Sequence, residues 1–171
     1  MCIRDSGFIT DHGMEQLVRD ARITTIYEGT NGIQAMDLVG RKLMDGGEAA
    51  YSLVDDIQKT VKTCPEDFSS IANEVMLASE ALREAIKWMC SQKNINDRFA
   101  GAVPFLNAFA RVLGGYFHLK SAIQEGPLGQ RTKLARFYIF NLMPEYMGLL
   151  QQAKQGCEDL YSFSANELLE A

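Results

Sequence analysis

The sequence predicts an all-α protein built as an antiparallel helical bundle. Apolar residues recur at steps of three and four over long segments. Short polar or Gly/Pro-containing breaks separate those segments. The 171 residues are 47% hydrophobic and 23% charged, enough to bury a real core without the signature of wholesale disorder.

In chain order, a short helix is expected near residues 13–22. Ile23-Thr24-Thr25-Ile26-Tyr27 follows, β-branched and aromatic, so extended structure competes there. Glu28-Gly29-Thr30-Asn31-Gly32 reads as a turn or a capped helix start. Ile33, Met36, Leu38, Val39 and Leu43 suit a helix that Asp45-Gly46-Gly47 ends. Leu53, Ile57 and Val61 step by four until Cys64-Pro65 stops them. Ile71, Val75, Ala78, Leu82, Ile86 and Met89 form the clearest amphipathic stripe. A polar connection spans residues 91–98. Phe105, Phe109, Val112, Tyr116 and Leu119 mark the next helix, and Glu125-Gly126-Pro127 signals a turn. The last long helix covers about residues 132–154 through Leu134, Phe137, Tyr138, Leu142, Tyr146, Leu149 and Leu150, with Pro144 kinking or splitting it. These large apolar residues are expected in the core. The tail from Gly156 reads as a short helix and loop.

Net charge is −5, with 17 basic against 22 acidic residues and no local basic cluster. That balance argues against a nucleic-acid binder. No run of 18 apolar residues exists to form a transmembrane segment. Helices of mixed charge also disfavour a membrane-surface domain. Cys2, Cys64, Cys90 and Cys157 are scattered, and His12 and His118 stand alone, so no metal site is expected. The cysteines fit reduced thiols and a cytoplasmic location. The opening residues 1–6, Met-Cys-Ile-Arg-Asp-Ser, resemble a translated transposon-end sequencing adapter and are set apart from the fold.

The segment around Glu28 holds the chemistry. A carboxylate sheltered against an aromatic residue has its pKa raised, which suits a general base. Gly29 would admit a ligand close to the backbone. Thr30 and Asn31, opening a helix, would offer N–H groups to a phosphate. The same residues also read as a solvated loop carboxylate and a simple N-cap.

The run Arg19-Asp20-Ala21-Arg22-Ile23-Thr24-Thr25-Ile26-Tyr27-Glu28-Gly29-Thr30-Asn31-Gly32-Ile33-Gln34 resembles the signature of the acyl-CoA dehydrogenase family. Gly7-Phe8, placed 21 residues before Glu28, resembles the end of that family's glycine-rich segment. Ala35 to Leu43 and the helical region beyond, including Ala135-Arg136-Phe137-Tyr138 with Pro144, are similar to large bacterial members with an extra C-terminal domain. The resemblance divides the chain into residues 7–45, the last helices of the catalytic domain, and residues 46–171, an extra bundle.

The resemblance implies an FAD-dependent oxidation of an acyl-CoA thioester to the trans-2-enoyl-CoA. Glu28 would take the α-proton as the β-hydrogen leaves as hydride. Tyr27 and Gly29 would line the thioester pocket. Thr30, Asn31 and Gly32 would face the phosphates and adenosine portion of FAD, and Gly7 would lie near a flavin. Many shorter members carry Gln or Glu where this chain has Gly32, so no side-chain contact to FAD carries over there. Arg19, Asp20 and Arg22 read as structural ion pairs. The implied partners are an electron-accepting protein and a second copy in a dimer. The parent would be the enzyme and this chain alone would be silent. The competing reading is a stand-alone helical oligomerisation module.

Overall fold

The structure, a computed structural model, describes residues 9–26 and 30–169. The described residues are helical, with turns and no strand. The chain divides after Gln34 into two units.

In the first unit, a 3-10 turn over Thr10–His12 ends at Gly13, and α1 covers Glu15–Arg22. α1 buries none of its residues. Its own side chains support it: Arg19 pairs with Glu15 at 2.7 Å, and Gln16 donates to Asp20 at 2.8 Å. Such i,i+4 pairs each add a few tenths of a kcal/mol, about 0.2–0.5. Extended structure does not win in the next segment. Ile23–Thr25 form a 3-10 turn, and the Thr24 hydroxyl donates to the Ala21 carbonyl at 2.7 Å. That local bond offsets the β preference of the threonines. α2 covers Thr30–Asp37.

The second unit begins within α2, at Ala35. α2 passes into a π-helical turn over Leu38–Lys42. Four long helical rods follow. The first is α3 (Glu48–Lys62), and the second is α4 (Ser69–Ser91). A short α5 (Ile95–Ala100) leads to the third, α6 (Ala102–Glu125). The fourth combines α7 (Gln130–Phe137) and α8 (Tyr146–Ala153). A short α9 (Ala165–Leu169) ends the described chain.

Pairing between rods fixes their directions. Gly47, Asp55 and Gln58 meet Ile86, Arg83 and Ser79, so α3 and α4 are antiparallel. Gly101, Arg111, Gly115 and His118 meet Ala153, Glu145, Met143 and Tyr138, so α6 opposes α7–α8. On α4, Ser70 lies by Arg136, and Ala81 lies across from Tyr146, so α4 and the last rod share a direction. The result is an up-down-up-down bundle. Its core joins Val54 and Ile57 to the α4 stripe of Ile71, Val75, Leu82, Ile86 and Met89. Phe105, Val112 and Leu119 enter from α6.

The α4 and α6 stripes match the sequence expectation closely. The last rod does not. Leu134 and Phe137 are each 58% exposed, and Leu142 is 39% exposed. Leu150 turns inward as expected, but the rest of the inward line is Ala135, Ile139, Met143 and Ala153. At one end of that line the rod closes on α6, where Gly101 abuts the Ala153 carbonyl. Pro144 has no N–H for a bond to Phe140, and a π turn over Tyr138–Leu142 followed by a 3-10 turn over Met143–Glu145 absorbs that loss. The extra residue in the π turn also rotates the face presented to the core. Similarly, the α3 core line is Ala50, Val54 and Ile57, with Leu53 half-buried. The connection after α4 is partly helical, because Asn94 caps α5 by accepting from the Asn96 N–H at 3.0 Å.

Candidate functional site

Of the residues singled out in the sequence, Gly7, Tyr27, Glu28 and Gly29 lie outside the described residues, as do residues 1–6. Thr30, Asn31 and Gly32 are the first three positions of α2. Backbone N–H groups at a helix start lack intrahelical acceptors and carry the positive end of the helix dipole. No acidic side chain occupies the first turn to oppose an anion there. Thr30 is half-buried and Asn31 is exposed. A Cβ built on Gly32 meets no atom within 4 Å, so the space beside it is open. Packing among the described residues therefore does not demand glycine at that position.

Within the second unit, the π turn that follows α2 is held by α5. Val39 is fully buried, and Gly40 lies so close to the Phe99 ring that an added Cβ would come to 3.1 Å. Arg98 completes the grip. Its guanidinium donates to the Val39 carbonyl at 3.5 Å, to Cys90 at 3.3 Å and to Gln92 at 3.1 Å. One cation thus satisfies carbonyls at the C-terminal end of α4 and in the π turn. Asp37 and Arg41 pair within the same segment at 2.5 Å, and the Arg41 hydrogen bond holds the Asp37 carboxyl below its ordinary value. Sequence reading placed Arg98 in a polar connection and gave it no role. An arginine's reach to three carbonyls has no local sequence signal.

The remaining chemistry-bearing groups are quiet. Burial raises the Cys64 and Cys90 thiols above their ordinary value. The Asp97 hydrogen bond does the same for Cys157. Raised thiols are poor nucleophiles. Among the described residues no His, Cys, Asp and Glu groups converge to hold a metal, and no helix is long and apolar enough to cross a membrane.

Residues 53–164 match the family model described as acetyl-CoA dehydrogenase C-terminal like. Residues 5–44 match the model of the acyl-CoA dehydrogenase C-terminal domain. The chain belongs to the acyl-CoA dehydrogenase family. Its relatives include a broad-specificity linear acyl-CoA dehydrogenase of Mycobacterium tuberculosis, 46% identical over 81% of this chain and 27% of the relative. A 3-methylmercaptopropionyl-CoA dehydrogenase of Ruegeria pomeroyi is 35% identical over 64% of this chain and 20% of the relative. A butyryl-CoA dehydrogenase of Syntrophomonas wolfei is 28% identical over 86% of this chain and 27% of the relative. The chain thus spans about a quarter of the length of these acyl-CoA dehydrogenases. No solved structure matches it at a significant level.

Proposed function

We propose that this chain carries the catalytic base and the extra helical bundle of a flavin-dependent acyl-CoA dehydrogenase, the parent of which converts acyl-CoA to trans-2-enoyl-CoA. The observation that carries the reading is the acyl-CoA dehydrogenase model's match to residues 5–44, which contain Glu28 within the family's signature. Glu28 removes the α-proton of the thioester, and Tyr27 and Gly29 line the pocket that holds the acyl group. Thr30, Asn31 and Gly32 bind the phosphate and adenosine portion of FAD, with Gly7 near the flavin. FAD, when bound, supplies the two-electron acceptor for the β-hydrogen.

The α2 start supports this assignment because it fits an anionic group: a helix start carries the positive end of the dipole, no acidic side chain stands in the first turn, and the space beside Gly32 is open. Residues 7–45 close the catalytic domain, and residues 46–171 form the extra bundle. The working enzyme is a cytoplasmic dimer that passes electrons to an acceptor protein. On this reading the 171-residue chain is inactive by itself, since most of the flavin cavity is built elsewhere in the parent.

The test is anaerobic bleaching of flavin absorbance by an acyl-CoA such as butyryl-CoA. The complete enzyme should bleach, and its Glu28→Gln variant should react about 10²–10⁴ times more slowly. The isolated chain with added FAD should not respond. Wild-type rates in Glu28→Gln would refute the assignment of the base. Bleaching by the isolated chain would refute its inactivity.

A further inference from the structure

Because α4 and α8 run side by side in one direction, a groove opens between them. One part, about 450 Å³, is walled by Ala81 and Glu84 of α4 and by Tyr146, Met147 and Leu150 of α8. It continues into a recess of about 320 Å³ at Lys87, Trp88 and Ser91. Glu84 and Lys154 line both parts, so they form one groove. These volumes suit a small molecule rather than a protein segment.

The two ends differ in chemistry. At the first end Leu150 forms a buried floor and Met147 remains 59% exposed, which leaves apolar surface in water. At the second end Lys87 stands beside the half-buried Trp88 indole, and Lys154 reaches both parts. Among the described residues neither lysine makes an ion pair, whereas Arg19, Arg41, Lys42, Arg83 and Arg111 each do. Like Lys154, Glu84 lines both parts, and among the described residues it makes no ion pair.

We propose that this groove binds an amphiphilic carboxylate, with its aliphatic chain over Tyr146, Met147 and Leu150 and its head group between Lys87 and Lys154. Each methylene laid on the apolar end leaves water. The lysines attract the carboxylate, and Glu84 opposes it. The charge pattern therefore fixes both the sign of the head group and the orientation of the chain. This site is independent of the dehydrogenase reading.

Trp88 is the chain's only tryptophan, so its fluorescence reports on the groove directly. The 171-residue chain is titrated with decanoate below its micellar range, with decyltrimethylammonium as the charge-reversed control. Decanoate should change Trp88 emission saturably, and the cationic control should not. Lys87→Ala and Lys154→Ala should each weaken binding about threefold to fivefold, the size of an exposed charge pair. Glu84→Gln should tighten it by about twofold. All three positions are exposed, so circular dichroism should show unchanged helix. A linear, unsaturable response overturns the proposal, as does an equal response to the cationic amphiphile. So does indifference to the lysine variants. A signal that tracks dimer formation in sedimentation gives the groove to a second copy and equally overturns it.

Discussion

Gly47→Ala should be far more damaging than Gly46→Ala, although both place alanine in a left-handed backbone. Gly46 has φ +78° and Gly47 has φ +85°. The left-handed conformation alone costs an L-residue about 1–2 kcal/mol. A Cβ on Gly46 meets nothing within 4 Å. A Cβ on Gly47 would stand 2.9 Å from Ile86 Cγ2, 3.1 Å from Cys90 Sγ and 3.3 Å from Tyr51 Cε2. Ile86 is fully buried in the α4 stripe and has nowhere to retreat. Overpacking of that kind adds about 1–3 kcal/mol. Gly47→Ala should therefore cost about 2–5 kcal/mol and Gly46→Ala only about 1–2 kcal/mol. Alanine stiffens the unfolded chain equally in both, so that contribution cancels in the comparison. Urea unfolding followed by helical circular dichroism measures the two midpoints. Equal losses would refute the reasoning, because they would mean that the α3 start does not press on α4 at Ile86.

Ile139→Ala should cost about 2–5 kcal/mol, while Phe137→Ser, on the exposed face of the same rod, should change stability by about 0.5 kcal/mol or less; comparable urea midpoints would contradict the inward line through Ile139. Arg98→Ala should lose about 2–3 kcal/mol through three abandoned carbonyls. Arg98→Lys should recover only part of that loss in the same assay, since one ammonium cannot reach all three. Backbone N–H groups at the start of α3, chiefly those of Ala49 and of Gly47 just before the helix, hold the Asp45 carboxyl below its ordinary 3.8. A depressed carboxyl contributes stability that is present above 3.8 and is lost as pH falls through the folded value. Asp45→Asn should therefore flatten the acid limb of a stability–pH profile below about pH 4, and an unchanged limb would exclude Asp45 from it.

Large stretches of this fold are legible from residue order. The α4 stripe was plain because Ile71 through Met89 keep their spacing over more than five turns, and all six of the expected positions are buried. The last rod misled for a physical reason. Its large residues Leu134 and Phe137 look like a core face, yet the face that packs on α6 carries Ala135, Ile139 and Met143. Close approach is a property of two helices together, and neither sequence segment states it. The candidate site divides in the same way. The signature from Arg19 to Gln34 is local in sequence and identifies a family without any fold. The Arg98 grip on Val39, Cys90 and Gln92 joins segments 59 and 8 residues apart and has no motif.

By itself, then, the sequence determined the helical class, the breaks between helices and the family, because each is written in neighbouring residues. Tertiary structure alone decided which face of the last rod turns inward, how α5 holds the π turn over Leu38–Lys42, and where Lys87 and Lys154 come to share a groove. Those outcomes depend on distances between residues far apart in the chain. Periodicity fixes a helix's own faces, but only the neighbour it packs against selects the one that leaves water.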